Sequence, residues 1–195
     1  MTRPIVVGIA GGTASGKTSI AIHAAKQLGA ALIQHDRYYF DAPEPRGHNF
    51  DHPDSLQTAL FAEHLGALRR GDATDLPVYD FGTHSRSLRS ERMEPGAIIL
   101  AEGILVLADA RLRAEMDMMV FVDAPVDVRL ARRLRRDIVE RGRSVESVLD
   151  QYLLTVRPMH ERYVEPSRAF ASLTLDGEGE FLAQVDRLVS AVRGL

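Results

Sequence analysis

Apolar positions along the chain fall into two alternating patterns. Ile5–Ala10, Ala30–Ile33, Ala97–Leu100, Met118–Val122 and Ala169–Leu175 are short, mostly apolar runs, which predict strands buried on both faces of a parallel sheet. Between them lie segments whose apolar residues recur every three or four positions. Lys17–Leu28 places Ile20, Ala21, Ala24, Ala25 and Leu28 on one helical face, with Gly29 as its stop. Ser55–Leu68 predicts a second helix, with Asp54 or Ser55 as N-cap and Gly71 beyond its end. Val126–Glu140 starts after Pro125 and is rich in Arg, and Ser144–Val156 reads as helical on to about Tyr163, with Pro158 as a break or kink. Glu180–Val192 predicts a further helix. Leu76–Phe81 and Arg86–Met93 predict a small hairpin, and Gln34 to Pro53 reads as loop.

Strands alternating with helices predict an α/β fold: a mostly parallel sheet with helices on both faces, joined by the hairpin (about 76–94) and an Arg-rich helical lid (about 129–145). The absence of repeats, low-complexity tracts and linkers predicts one domain over 1–195. Ligands in such sheets bind beyond the carboxyl ends of the strands. Gly11–Thr18, His35–Tyr39, Glu102 and Asp123 all follow strand ends, so the pattern predicts a single site.

Composition narrows the classes of function. The 195 residues are 45% hydrophobic and 26% charged, which excludes wholesale disorder. With no Cys, disulfide and cysteine–metal staples are excluded. A net charge of -3 argues against broad binding to nucleic acid or anionic membrane, and no apolar run reaches the roughly 20 residues that span a bilayer. Met1-Thr2-Arg3-Pro4 leads directly into an apolar run without a signal-peptide pattern, so the expectation is a soluble cytoplasmic protein. Of the 24 basic residues only Lys17 and Lys26 are Lys. A chain that uses Arg nearly everywhere keeps Lys at position 17.

That lysine belongs to Gly11-Gly12-Thr13-Ala14-Ser15-Gly16-Lys17-Thr18, which fits G-x-x-x-x-G-K-[ST] between a strand and a helix. Glycines let the backbone curl so that successive N–H groups face phosphate oxygens, and the following helix adds its positive end. Lys17 would reach the β- and γ-phosphates as a compact charge, and the Thr18 hydroxyl would hold Mg²⁺. The pattern predicts a P-loop NTPase fold that binds a nucleoside triphosphate.

No N-K-x-D guanine-reading motif follows, which argues against a GTPase switch, and the chain is small for a motor or transporter ATPase. A small-molecule kinase fits better. Asp36, after the second strand, is the candidate base and a second candidate near Mg²⁺; adjacency of the second strand to the first would let it face the γ-phosphate. Its alternative role is turn formation. Glu102, ending an apolar run, is the candidate metal-side carboxylate, with a helix cap or surface acid as its alternative. Arg129, Arg132, Arg133, Arg135, Arg136, Arg141 and Arg143 cover several faces of one helix and the turn beyond, so only some point at phosphates. Seven unpaired charges would repel, and phosphates are expected to draw the useful ones inward over the site.

Six stretches together resemble the uridine kinase (uridine–cytidine kinase) family. They are the P-loop, His35-Asp36-Arg37-Tyr38-Tyr39, Asn49-Phe50-Asp51-His52-Pro53-Asp54, Pro77-Val78-Tyr79-Asp80-Phe81 with His84-Ser85-Arg86, Glu102-Gly103-Ile104-Leu105, and Arg135-Arg136-Asp137-Ile138 through Glu140-Arg141-Gly142-Arg143. They stand in family order over about positions 5 to 166.

The resemblance implies phosphoryl transfer from ATP or GTP to the 5′-hydroxyl of uridine and cytidine, giving UMP and CMP in pyrimidine salvage. It assigns Asp36 and Lys17 to catalysis and Asp51 to the ribose hydroxyls. Tyr79, Phe81 and His84 fall in the nucleoside pocket, Arg133, Arg143 and Gln151 close it, and Arg136 and Arg141 act as lid phosphate contacts. Thr18 and Glu102 match the magnesium shell. It also implies a homo-oligomer, a tetramer, inhibited by UTP or CTP. His52 reads better as a loop brace than as a catalyst, and Tyr79 and Phe81 as hairpin core residues is the competing reading. Asp176-Gly177-Glu178-Gly179-Glu180 is more acidic than the family leads one to expect, so adenine contacts stay unassigned. The rival readings are another P-loop small-molecule kinase, a non-catalytic nucleotide-binding regulator, and a nucleic-acid-stimulated ATPase.

Overall fold

A computed structural model describes residues 3–42 and 48–195. Five strands form one parallel sheet: β1 (Ile5–Gly11), β2 (Ala31–Gln34), β5 (Ile98–Glu102), β6 (Met118–Asp123) and β7 (Leu173–Asp176), in the order β2-β5-β1-β6-β7. β3 (Thr74–Asp80) and β4 (Ser85–Met93) form a separate antiparallel hairpin. Side chains alternate across the sheet, and each face builds its own core. Val7, Ile9, Leu100, Val120 and Val122 pack under α1 (Lys17–Leu28) and the last helix, α6 (Phe181–Arg193). Val6, Ala10, Ile99, Ala101 and Phe121 face α2 (Thr58–Arg70) and α3 (Ala110–Ala114). The expected α/β three-layer fold is present.

The strand order corrects one step of the sequence argument. β2 does not lie beside β1; β5 lies between them and pairs with both. Glu102, ending β5, therefore stands on the strand beside the P-loop strand, in register with Ile9 on one side and Gln34 on the other.

Local differences have local causes. The expected loop from Gln34 to Pro53 opens with a tight helical turn, His35–Tyr38, and its residues 43–47 lie outside the described part. Helix α2 starts at Thr58, not Ser55, and neither Asp54 nor Ser55 caps it. Pro53–Ser55 forms its own turn, capped by His52 Nδ1 accepting from the Asp54 N–H, and Leu56 is extended to bridge Tyr39. Helix α4 spans Val126–Val139. After it, α5 (Val145–Gln151) runs on helically to Ser167, so Pro158 neither ends nor breaks the segment. Wider π-type turns at Tyr152–Val156 and His160–Val164 flank the proline, which has no N–H to give an ordinary turn. Ala169 and Phe170 stay in the last helical turn, which delays β7 to Leu173.

Candidate functional site

The turn from β1 into α1 builds a cradle. Gly16 sits at the α1 N-terminus with φ 96, a left-handed conformation open to glycine. A side chain on Gly12 would collide with the guanidinium of Arg129. Arg129 is buried beneath this loop, donating from Nε to the Ala124 carbonyl at 3.0 Å and placing Nη2 3.1 Å from His160 Nε2. The Ser15 hydroxyl is buried with no partner among the described residues, and Ala14 also takes a positive φ, 58°. A closely spaced loop with a buried, unanswered donor at a helix N-terminus fits a bound phosphate chain.

At the cradle's edge Lys17 Nζ lies 3.6 Å from Glu102 Oε1, and both side chains are buried. The Thr18 hydroxyl donates to the same oxygen at 2.9 Å, and Gln34 Nε2 donates to Oε2 at 3.4 Å. Thr18 and Glu102 are hard oxygen donors beside a phosphate cradle, the donor set that suits Mg²⁺ completed by phosphate and water. Among the described residues no cluster of three or more His, Asp or Glu forms an all-protein metal site.

The turn after β2 carries Asp36 into the same pocket. Burial pushes its carboxyl up to about 6; the charges of Glu102 and Asp51 add to this, while Lys17 and Arg141 oppose it. Its neighbour His35 points the other way: packed on Phe61 with Nε2 3.2 Å from Thr58 Oγ1, it is driven down to about 4 by burial and stays neutral. Asp51 is 9% exposed and is also raised by burial, against the pull of Arg133 and Lys17.

Next to Asp51 stands a group of rings. Phe50 meets His84 at 4.9 Å between centroids, His48 at 4.5 Å and Tyr39 at 5.6 Å; Tyr79 meets Tyr39 at 5.5 Å and Phe81 at 5.1 Å. Tyr79 is buried with an unpartnered hydroxyl, and Phe81 is 52% exposed. His84 has φ 51, in the left-handed region that His enters more readily than most residues, and its carbonyl accepts from Ala42 N–H. Arg86 fastens this hairpin to the Asp36 loop, donating to the carbonyls of Tyr38 and Tyr39 and to Gln57. His52 braces its loop, with Nδ1 accepting from Asp54 N–H and Nε2 3.4 Å from Tyr163 OH.

From the far side α4 and the turn after it contribute arginines. Arg133 is buried and donates to Thr13 Oγ1 of the cradle at 3.0 Å and to Gln151 Oε1 at 2.9 Å. Arg143 donates to the same Gln151 oxygen at 2.6 Å. Arg132 donates to the Gly177 carbonyl at 2.8 Å, and Arg135 is exposed. The seven arginines are not the unpaired set that the sequence pattern led one to expect: buried Asp137 pairs with Arg133, Arg136, Arg141 and Arg143. A cavity of about 220 Å³ lies on the opposite side of the cradle, lined by Gly16, Ser19, Ile20, Arg132, Asp176, Gly177, Gly179, Phe181 and Gln184.

The fold thus brings together the P-loop, Lys17, Thr18, Asp36 and Glu102. Charge coupling ties Asp51, Arg133 and Arg141 to this group, and Gln151 and Arg143 join through Arg133. Tyr79, Phe81 and His84 stand together on the ring cluster. Sequence reasoning named Arg129 only as one of seven arginines and did not single out its place beneath the loop, and it missed Gln34, whose role depends on the β2–β5 pairing. It quoted Phe50 without giving it a function, and read Asp137 only as a partner of the arginines on a solvated face. Arg86 carried the only usable signal, as the last residue of the quoted hairpin stretch.

The model of the phosphoribulokinase/uridine kinase family matches residues 6–177. A protein named uridine kinase from Chloroflexus aurantiacus is 49% identical over 199 aligned residues, covering 98% of this chain and 95% of that one. Another uridine kinase, from Leuconostoc citreum, is 40% identical over 99% of this chain and 97% of its own. Phosphoribulokinase from Rhodobacter spheroides has a similar fold, with a TM-score of 0.68 at 12% identity over 89% of this chain and 70% of that one.

Proposed function

Because the chain belongs to the phosphoribulokinase/uridine kinase family, we propose that it transfers the γ-phosphoryl group of ATP to the 5′-hydroxyl of uridine and cytidine, forming UMP and CMP for pyrimidine salvage. The observation that carries this reading is Asp36. A carboxyl raised to about 6 is ionised at neutral pH yet basic enough to take a proton, and it follows β2 in the turn where the charges of Lys17, Glu102 and Asp51 act on it.

In this reading the P-loop N–H groups and Lys17 hold the donor's phosphates. Asp36 accepts the 5′-hydroxyl proton as that oxygen attacks phosphorus, and the ADP leaving oxygen departs in line. Asp51 accepts hydrogen bonds from the two ribose hydroxyls, which a deoxyribose cannot match. Tyr79, Phe81 and Phe50 offer faces for a pyrimidine, and His84 meets its variable edge. A neutral imidazole donates from one nitrogen and accepts at the other, so it suits both uracil O4 and cytosine N4. Arg133 and Arg143, tied by Gln151, close the pocket, and Arg136 and Arg141 face the phosphates. Thr18 and Glu102, with Asp36 beside them, would hold Mg²⁺, which when bound offsets charge on the phosphate oxygens. The donor's base sits in the cavity between Arg132 and the 176–179 loop, and GTP serves as a second donor. We place the enzyme in the cytoplasm as a homo-oligomer, a tetramer. Among the described residues, no helix is long and apolar enough to cross a membrane.

The test is incubation with γ-labelled ATP and a panel of nucleosides, sugars and pantothenate, with and without RNA. Label should move to uridine and cytidine, independently of RNA. Transfer to a different acceptor, or ATP hydrolysis that needs RNA, would overturn the reading.

A further inference from the structure

Among the described residues, Asp137 is the most enclosed charge that the proposed reaction does not use. Its side chain is 0% exposed and lies on the last turns of α4. Four guanidiniums surround it: Arg136 at 2.8 Å, Arg141 at 3.4 Å, Arg133 at 3.6 Å and Arg143 at 3.7 Å. Its backbone carbonyl also accepts from Arg143 N–H at 3.1 Å, closing the turn through Gly142. One carboxylate among four cations leaves a surplus of positive charge. Arg133 carries that surplus to the cradle at Thr13, and the charges of Arg141 and Asp36 act on each other.

The four arginines do not depend on Asp137 equally. Arg133 and Arg143 both donate to Gln151 Oε1, and Arg133 also to Thr13, whereas they meet Asp137 only as ion pairs. For Arg136, which donates to it, and for Arg141, which pairs with it by charge, Asp137 is the one side-chain partner among the described residues. Both are partly open to solvent, at 31% and 48%, and free to swing outward if that acceptor is lost.

We propose that Asp137 is a positioning residue that holds Arg136 and Arg141 over the pocket, so that the transferring phosphoryl group meets donors already in place. The chain supplies its own counter-charge, and the arginines need no phosphate to gather them. Donors fixed in advance act where charge develops during transfer without reorganising at that moment. This inference rests on the kinase reading.

The test is Asp137→Asn, which keeps the shape and removes the charge. The expected result is a kcat at least 30-fold lower, with the uridine KM within threefold of wild type, because Gln151 still holds Arg133 and Arg143. Arg141→Ala alone should also be slow, and the double variant should be at most threefold slower than the slower single. A kcat within threefold of wild type for Asp137→Asn, a uridine KM rising in step with the loss of kcat, or additive losses would overturn the proposal.

Should Asp137→Asn fail to fold, hydrogen exchange on wild type decides. Amides of 133–143 should be protected in the ligand-free enzyme and change less than threefold with uridine and a non-hydrolysable ATP analogue. A rise above tenfold would overturn the proposal. A wild type that does not phosphorylate uridine overturns the functional reading instead, and the ligand-free exchange still tests Asp137.

Discussion

Replacing Asp36 by Asn removes one negative charge from a pocket that also holds Glu102 and Asp51, and keeps the side chain's shape. In the folded protein this carboxyl titrates at about 6 against an ordinary 3.8. The difference of roughly 2 units corresponds to roughly 3 kcal/mol. The sign follows from proton counts. Below 3.8 both the folded and unfolded chains hold the proton and there is no cost. Between 3.8 and about 6 the unfolded chain releases a proton that the folded one keeps, so stability falls as pH rises, and above 6 the full cost is present. Asn escapes that cost. Asp36→Asn should therefore be more stable than wild type at neutral pH, by up to roughly 3 kcal/mol, with the gain fading toward pH 4.

The same ionisation governs activity. Wild-type kcat/KM for uridine should fall about tenfold per unit below pH 6, and Asp36→Asn should lose roughly 10²–10⁴-fold in kcat. Thermal melts and initial rates across pH 4 to 8 measure both. A variant that is inactive yet more stable identifies the carboxylate as a base and not a fold element. A wild-type rate flat to pH 5, or a stability gain over wild type no larger at neutral pH than at pH 4.5, would refute the reasoning.

Two further substitutions probe the acceptor side. Asp51→Ala should weaken uridine binding by roughly 2–4 kcal/mol, since two buried hydroxyls lose their acceptor, and should erase discrimination against 2′-deoxyuridine. Equal wild-type specificity constants for the two nucleosides would count against it. His84→Ala should lower kcat/KM for uridine and cytidine alike while the ATP KM holds; His84→Gly, which accepts the φ of 51° freely, should be equally impaired. Full activity in His84→Gly would reduce His84 to a brace for the hairpin turn.

How far the sequence could be read depends on where the information sits. The P-loop and helix α1 were legible because a local spacing, glycines and a helical apolar face all act within a few residues, and the expected helix Lys17–Leu28 is the one observed. Glu102 was legible for a similar reason, as an acid ending an unbroken apolar run. Strand order was not, because insertion of β5 between β1 and β2 is decided by which crossovers pack and leaves no mark in either strand. The start of α2 was misplaced because Asp54 and Ser55 are good caps in isolation. His52 and the Tyr39–Leu56 bridge are tertiary facts that give Pro53–Ser55 a turn of its own. Asp137 reads in sequence as a surface partner for nearby arginines, and its complete burial appears only when the Arg141–Arg143 turn folds back over it.

The central claim is that a nucleoside 5′-oxygen, drawn forward by Asp36, attacks the donor's terminal phosphorus. Phosphorus NMR of the enzyme with ATP and uridine, set beside the same reaction with 5′-deoxyuridine, tests it most directly. The account predicts the resonance of uridine 5′-monophosphate together with those of ADP in equal amount, and no product from 5′-deoxyuridine, which lacks the attacking oxygen. A phosphorylated product from 5′-deoxyuridine, or ADP formed with free phosphate and no nucleotide in both reactions, would contradict it.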